Sequence, residues 1–324
     1  MIYSAYYPYR SEAARAHCFS YLDSLAAKRW PVTGEERTIP TSYGATFVRI
    51  NGPEKAPPVI LLHGAGGTSL MWAPNVEALS AEYRTFAVDQ VGEFGKSLCV
   101  KSARSFRDLA GWLNELFDGL ELSGGVSLAG VSYGGALAAQ YALQFPGRVR
   151  KVVLLAPGNT VLRTSAEFWA RLIWAALSRR KGGAAFFRWV FADMQRKDPQ
   201  WVDATLEELF LGMRSIDRHR PPMPPVLSDA EWRRLRMPAL FLVGEHDVIY
   251  PAEKAVRRLR RVAPQVAAEI VPDAGHDFTI AHAAVINRRI LQFLAEPLPS
   301  APGNVHSCRS AATGSILAAR RAGR

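Results

Sequence analysis

A serine with a glycine two residues away on each side constrains the fold of this chain more than any other feature. The segment Gly130-Val131-Ser132-Tyr133-Gly134 follows a short apolar run at residues 126–129. A GxSxG segment after a strand predicts a strained turn into a helix, where only small residues fit beside the serine. We therefore expect Ser132 to stand at the carboxyl end of a strand. Because the same spacing also arises by chance in loops, its interpretation depends on companion residues elsewhere.

Short apolar runs alternate with helical patterns along most of the chain. The runs predicted as strands are residues 45–50, 58–62, 85–89, 126–130, 149–155, 238–243 and 267–271. The segments predicted as helices are residues 11–28, 105–120, 133–145, 251–262 and 281–294. This alternation predicts an α/β fold in which a mostly parallel sheet carries helices on both faces.

The alternation is interrupted between residues 158 and 236, where aromatic-rich helical segments lead to the break Pro221-Pro222-Met223-Pro224-Pro225. We interpret residues 158–236 as a helical cap inserted between two strands and lying over the serine turn. The other predicted units are an N-terminal helical extension (1–40), the α/β core (41–157 and 237–296) and a tail (297–324). Pro, Ser, Gly and Ala dominate the tail, which predicts disorder.

Composition and charge narrow the classes of function. The chain has 324 residues, of which 48% are hydrophobic and 21% charged, as in an ordinary globular protein. Its net charge of +11 lies partly in the tail and partly at spacings typical of solvated helix faces, so we do not predict a nucleic-acid partner. No apolar run is long enough to cross a membrane and no signal-peptide pattern opens the sequence, which predicts a cytoplasmic protein without a membrane partner. The three cysteines, Cys18, Cys99 and Cys308, are far apart, which predicts free thiols rather than a disulfide or metal site.

A serine nucleophile needs a histidine to accept its proton and a carboxylate to orient that histidine. Asp247 and His276 each follow a predicted strand, in the order Ser132, Asp247, His276 along the chain. This order places all three side chains at the carboxyl edge of a parallel sheet, where ligands bind. We predict Ser132 as nucleophile, His276 as base and Asp247 as acid. Glu245 is an alternative acid, and Asp247 could instead cap the helix that follows it.

Acyl transfer also needs two backbone N–H groups to stabilise the oxyanion. Tyr133 follows the nucleophile at the start of a helix, where N–H groups are free. The glycine-rich loop His63-Gly64-Ala65-Gly66-Gly67 follows a predicted strand, and its backbone can approach a substrate closely. We predict Tyr133 and Ala65 as the two donors. A phosphate-binding loop is the alternative, but the GKS or GKT ending is missing.

With these segments the chain resembles α/β-hydrolases, and within them it is similar to bacterial carboxylesterases of the naproxen-esterase kind. The likeness is carried by residues 63–66, 71–75 (Met-Trp-Ala-Pro-Asn), 83–89, 130–135, 244–250 and 273–276. It runs from the N-terminal helix to about Leu294. That subfamily carries Glu at the position of Asp247. The aspartate of this chain keeps the carboxylate but has a shorter side chain. The resemblance implies hydrolysis of small-molecule carboxylic esters under a helical cap, without a cofactor.

The aromatic residues of the predicted cap indicate an apolar acyl or alcohol pocket, although aromatic residues at helical spacing are often core residues. We predict Trp72, Phe168 and Trp169 as substrate contacts and no metal ligand. The serine at the turn argues against epoxide hydrolases and haloalkane dehalogenases, which use aspartate there. A C–C bond hydrolase, an amidase, a perhydrolase and a catalytically silent binding protein of the same fold are alternatives. A homodimer is left open.

Overall fold

One sheet of eight strands runs through the computed structural model, which describes residues 7–216 and 221–298. The strands are β1 (Glu35–Thr41), β2 (Gly44–Asn51), β3 (Pro58–Leu62), β4 (Arg84–Val88), β5 (Val126–Val131), β6 (Val149–Leu155), β7 (Ala239–Gly244) and β8 (Val266–Val271). They lie in the order β1-β2-β4-β3-β5-β6-β7-β8. The pairs β1–β2 and β2–β4 are antiparallel, and every pair from β4 to β8 is parallel. The prediction of an α/β fold with a mostly parallel sheet is confirmed.

Helices cover both faces of this sheet. The α-helices of the described residues are α1 (Glu12–Arg29), α2 (Ala73–Ser80), α3 (Phe106–Gly119), α4 (Tyr133–Gln144), α5 (Ala166–Leu177), α6 (Arg179–Val190), α7 (Ala192–Lys197), α8 (Pro199–Ser215), α9 (Asp229–Arg234), α10 (Ala252–Val262), α11 (Phe278–Ala281) and α12 (Ala283–Ala295). Successive side chains of a strand point to opposite faces. Ile60 and Leu62 therefore pack with α3, α4 and α10, whereas Val59 and Leu61 pack with α2 and α12. Burial on both faces is what makes the central strands continuous apolar runs in the sequence.

The N-terminal segment contains a strand that the sequence analysis did not predict. The helix predicted at residues 11–28 is present as α1, with the Ser11 hydroxyl accepting the Ala14 N–H at 3.1 Å. Residues 35–40, which we assigned to a helical extension, instead belong to β1 and pair with β2. In β1 only Ile39 is buried, so the strand lacks the apolar alternation from which strands are predicted. The predicted boundary at residue 40 falls inside this hairpin.

The helices α5 to α9 lie between β6 and β7, which are neighbours in the sheet. Residue Leu155 of β6 pairs with Leu242 of β7, so the chain leaves the sheet and returns beside the strand that it left. Helix α8 packs against α1, and the backbone N–H of Arg10 donates to Ser215 O at 2.9 Å. The helical segment is therefore joined to the N-terminal helix as well as to the sheet.

Two of the three cysteines lie within the described residues. Cys18 and Cys99 are buried free thiols, as predicted, and Cys308 lies outside the described residues. Apart from residues 297 and 298, the predicted tail also lies outside them. Among the helices of residues 7–216 and 221–298, none has the length and apolar character that crossing a bilayer requires.

Candidate active site

Ser132 lies in a strained turn between β5 and α4. Its φ of +50° is unusual for a residue with a side chain. A Cβ added to Gly130 would lie 2.2 Å from Gly134 O, and one added to Gly134 would lie 2.4 Å from Leu62 O. Both positions therefore require glycine. The Ser132 N–H donates to Leu155 O at 2.8 Å, which fixes the turn against β6.

Asp247 and His276 follow β7 and β8 and form a hydrogen-bonded pair. His276 Nδ1 lies 2.9 Å from Asp247 Oδ2, and the Asp247 side chain is fully buried. The other carboxylate oxygen, Oδ1, accepts the Ile249 N–H at 2.7 Å. Glu245 is exposed and instead accepts the Asp273 N–H at 3.0 Å. Of the two acids considered from the sequence, Asp247 is the one that contacts the histidine.

The environment of His276 favours its protonated form. Burial lowers the pKa of the imidazole, but the charge and hydrogen bond of Asp247 raise it more, and the charge of Asp277 adds to this. The net effect is a pKa above the ordinary value of 6.5. The ring is therefore neutral, and able to accept a proton, only on the alkaline side of that value.

Ser132 and His276 line the same cavity. Within the described residues, neither Ser132 Oγ nor His276 Nε2 has a hydrogen-bond partner, so no direct bond joins them. Such bonds are often long or poorly aligned without substrate. The site thus contains the hydrogen-bonded pair of His276 and Asp247, and a Ser132 hydroxyl without a partner in the same cavity.

The loop after β3 brings Ala65 to the same cavity. Ala65 is exposed, and within the described residues neither its N–H nor that of Tyr133 has an acceptor. The loop is held by its neighbours, because the Gly66 N–H donates to Glu93 Oε2 at 2.9 Å and the Gln90 N–H donates to His63 Nε2 at 3.0 Å. Two residues whose N–H groups have no acceptor in the described part of the chain therefore line the serine's cavity, one on the loop and one at the start of α4.

The cavity has a volume of about 370 Å³, and its walls are largely apolar. Aromatic side chains of the helical segment form much of the lining, namely Phe168, Trp169, Phe186, Phe187 and Phe191. Phe168 packs on Phe186 with ring centroids 5.2 Å apart. Phe168 and Trp169 therefore line the same cavity as Ser132, and their contact with a substrate stays a prediction.

The prediction of Trp72 as a substrate contact is wrong. Its side chain is fully buried and packs in the core cluster that contains Leu79 and Phe293, on the face of the sheet covered by α2 and α12. It does not line the cavity. Trp72 ends a short 3₁₀ helix, Ser69–Trp72, directly before α2, where its side chain belongs to the core.

Two buried acids were missed in the sequence, of which Asp277 lines the cavity and Glu208 does not. Glu208 of α8 is buried, accepts the Thr68 hydroxyl at 3.3 Å and lies 3.6 Å from Arg29. Asp277, next to the histidine, is also buried and accepts the Met194 N–H at 2.8 Å. Burial raises the pKa of Glu208 to about 7 and that of Asp277 to about 6. A glutamate in a helical pattern, such as Glu208, normally indicates a solvated face. Only Asp277 could have been noticed in the sequence, because it directly follows His276.

Glu208→Gln is expected to change how stability depends on pH. The pKa of Glu208 is raised from 4.5 to about 7, so between these values the folded protein keeps a proton that the unfolded chain has lost. The resulting stability is complete below pH 4.5 and is lost as the pH rises through 7. Glutamine stays neutral, so at pH 8 the variant should be more stable by up to about 3 kcal/mol. Urea unfolding at pH 5 and pH 8 measures the difference.

The neighbouring Glu207→Gln is the control for this measurement, because Glu207 is exposed and pairs with exposed Arg180. It should leave the pH dependence of the free energy of unfolding unchanged. Parallel pH dependences for Glu208→Gln and the wild type would contradict a raised pKa at Glu208.

Comparisons with known proteins find relatives that match most of the chain. The profile described as "Alpha/beta hydrolase family" matches residues 59–289. The "Uncharacterized carboxylesterase nap" of Bacillus subtilis (strain 168) is 33% identical over 276 residues, covering 85% of this chain and 90% of the relative. "Carboxylesterase YbfK" of the same organism is 31% identical over 272 residues, covering 82% and 89%. The crystal structure of naproxen esterase (carboxylesterase NP) from Bacillus subtilis superimposes with a TM-score of 0.79 at 31% identity, covering 88% of this chain and 99% of that structure.

Proposed function

The chain belongs to the alpha/beta hydrolase family, and from this premise we propose that it is a carboxylesterase acting through Ser132, His276 and Asp247. Two relatives that are 31% and 33% identical and cover more than four fifths of the chain are named carboxylesterases. The observation that carries the proposal is the convergence on one apolar cavity of a free serine hydroxyl, a histidine paired with a buried carboxylate, and two free N–H groups. A protein that only binds a ligand would not require a nucleophile, a base and oxyanion donors in one cavity.

In the proposed mechanism Ser132 Oγ attacks the ester carbonyl while His276 Nε2 takes its proton. Asp247 holds the ring through Nδ1 and stabilises the imidazolium that forms. The N–H groups of Ala65 and Tyr133 receive the oxyanion, and the N-terminus of α4 adds a favourable dipole. His276 returns the proton to the leaving alcohol, and the acyl group stays on Ser132. Water activated by His276 then releases the acid.

We propose small apolar esters as substrates because of the size and lining of the cavity. Its aromatic lining and volume of about 370 Å³ suit an apolar acyl or alcohol group rather than a charged one. We propose that residues 158–236 act as the cap that selects this group, with Phe168 and Trp169 among its contacts. The cytoplasmic location, the lack of a nucleic-acid partner and the oligomeric state stay at the level of predictions from the sequence.

Purified protein incubated with p-nitrophenyl acetate, butyrate and octanoate tests the proposal. We expect turnover of at least one ester and labelling of Ser132 by a fluorophosphonate, located by peptide mass spectrometry. No turnover together with no labelling would overturn it and favour a silent binding protein. Labelling without ester turnover would instead direct the search to amides, peroxide-dependent acyl transfer or C–C bonds, since the same residues serve those reactions.

The rate of ester hydrolysis is expected to fall in acid with a midpoint above pH 6.5. The base must be neutral to accept the Ser132 proton, and the pKa of His276 is raised above 6.5. Measuring kcat/KM between pH 5 and pH 9 locates the midpoint, with unfolding monitored in parallel so that acid denaturation is separated from titration. A rate that stays constant down to pH 5 would exclude His276 as the base.

A further inference from the structure

The residues on both sides of His276 are bound to the start of α7. The Gly275 N–H donates to Asp193 Oδ2 at 2.6 Å. In return, the Asp277 carboxylate accepts the Met194 N–H at 2.8 Å and the Asp193 N–H at 3.4 Å. The helical segment and the histidine loop therefore exchange hydrogen bonds, each supplying a carboxylate for backbone N–H groups of the other.

These contacts are buried and tightly packed. Asp193 and Asp277 are 7% and 4% exposed. A Cβ added to Gly275 would lie 3.3 Å from an oxygen of each acid, so both carboxylates pack closely against this residue. A buried N–H without an acceptor is costly, and a carboxylate acceptor forms a strong hydrogen bond. Loss of the Asp193 carboxylate would thus leave the residue before His276 unsatisfied.

The sheet holds the other side of the same loop. The His246 N–H donates to Ala274 O at 2.9 Å, and Asp247 binds the imidazole. The charged and titratable groups facing the loop are Asp247 and Glu245 from the sheet side and Asp193 from α7, with Asp273 and Asp277 within the loop. His282, 3.3 Å from Asp193, and Arg196, which pairs with it, complete this surrounding set.

Helix α7 also connects the loop to the cavity wall. Phe191, the residue directly before α7, lines the cavity and stacks on Phe187 with centroids 6.2 Å apart. The path from the aromatic wall to Gly275 therefore passes through two residues of one short helix. One short helix therefore connects the cavity wall to the backbone that carries the histidine.

We propose that Asp193 is a positioning residue for His276, which makes the alignment of the base depend on the helices that form the pocket wall. The proposal rests on the proposed esterase function, because it assigns a role within that site. Asp193 contacts neither the serine nor the histidine side chain in the structure. Asp193 acts on His276 through its hydrogen bond with the Gly275 N–H. On the other side of His276, the Asp277 carboxylate binds the N–H groups of Asp193 and Met194.

Asp193→Ala should lower kcat about 10- to 100-fold, the scale expected when a reacting group is misplaced by about 1 Å. KM for a small ester should change less than kcat. The acid midpoint of the rate should move down toward pH 6.5, because a displaced ring loses the Asp247 contact that raises its pKa. Asp193→Asn keeps one oxygen for the Gly275 N–H, so it should retain more activity and gives a second test if the alanine variant does not fold. The control is Asp203→Ala in α8, where the acid pairs with exposed Arg188.

Two measurements separate positioning from simple loss of folded protein. Fluorophosphonate titration gives the fraction of active sites, so kcat can be expressed per site. NMR titration of His276 in the Ser132→Ala background compares its pKa with and without Asp193→Ala and needs no turnover. Unchanged kcat per site or an unchanged His276 pKa would overturn the proposal. Absence of ester turnover in the wild type would instead overturn the proposed function, while the NMR comparison still tests the positioning.

Discussion

Ser132→Ala is expected to lower kcat for p-nitrophenyl butyrate by about six orders of magnitude, as when the serine of another hydrolase is removed. The hydroxyl is the proposed nucleophile, and alanine leaves no group that can form the acyl-enzyme. Folding should be nearly unaffected, because the Ser132 backbone is held by bonds to Leu155 and Gly158 that alanine keeps. Steady-state kinetics, with fluorophosphonate labelling followed by mass spectrometry, measures the loss.

Ser123→Ala is the matched control. Ser123 is exposed in the turn before β5, so its loss should leave kcat and labelling unchanged. A Ser132→Ala protein that unfolds like the wild type but keeps more than about a thousandth of its activity would contradict covalent catalysis by Ser132. The residual rate over water that such variants show comes from the oxyanion donors and substrate binding.

Asp247→Asn is expected to lower kcat about 10⁴-fold, the loss seen when the acid of a serine hydrolase is replaced by its amide. The amide group can donate to Nδ1 and so favour the tautomer that places the proton on Nε2, where the serine proton must go. The loss of charge also removes the main influence that raises the pKa of the buried His276. The acid midpoint of the residual activity should therefore lie below that of the wild type. Kinetics between pH 5 and pH 9 measures both effects.

Glu245→Gln serves as the control for Asp247→Asn, because this neighbouring acid is exposed and makes no contact with the histidine. It should reduce kcat less than about threefold, in line with the small effects of exposed polar substitutions. Asp247→Glu keeps the charge with a longer reach, and it should retain more activity than Asp247→Asn. If Glu245→Gln proved the more damaging substitution, Glu245 would be the acid.

Most of the sheet could be predicted from the sequence because its strands are buried on both faces and appear as apolar runs. The strand β3, for example, has the predicted bounds, residues 58–62. The edge strand β1 could not be predicted, since its residues 35–38 are exposed and polar and pair through the backbone with β2. Backbone pairing at a sheet edge leaves no periodic pattern in the side chains.

Some residues of the candidate site could be predicted from the sequence and others could not. Ser132, Asp247 and His276 could be predicted because each follows an apolar strand, and parallel strands end at one edge. The role of Trp72 could not, because an indole packed in the core and one lining a pocket look alike in a sequence. The contacts of Asp193 and Glu208 were also hidden, since their partners lie 82 and 140 residues away along the chain. Such contacts follow only from the packing of the whole molecule.

Because β6 and β7 are neighbours in the sheet, the helical segment between them can change without a change in the order of the strands. Because Leu155 pairs with Leu242, the helical segment starts and ends at neighbouring strands. The free-energy cost of bringing these ends together grows only slowly with the length of the segment. Evolution or a protein engineer could therefore exchange this segment for another and alter substrate preference while the sheet edge is inherited intact. The contact between Asp193 and Gly275 adds a condition to such an exchange. A transplanted segment must bring its own acceptor for that N–H, or the recipient inherits a pocket without a correctly held base.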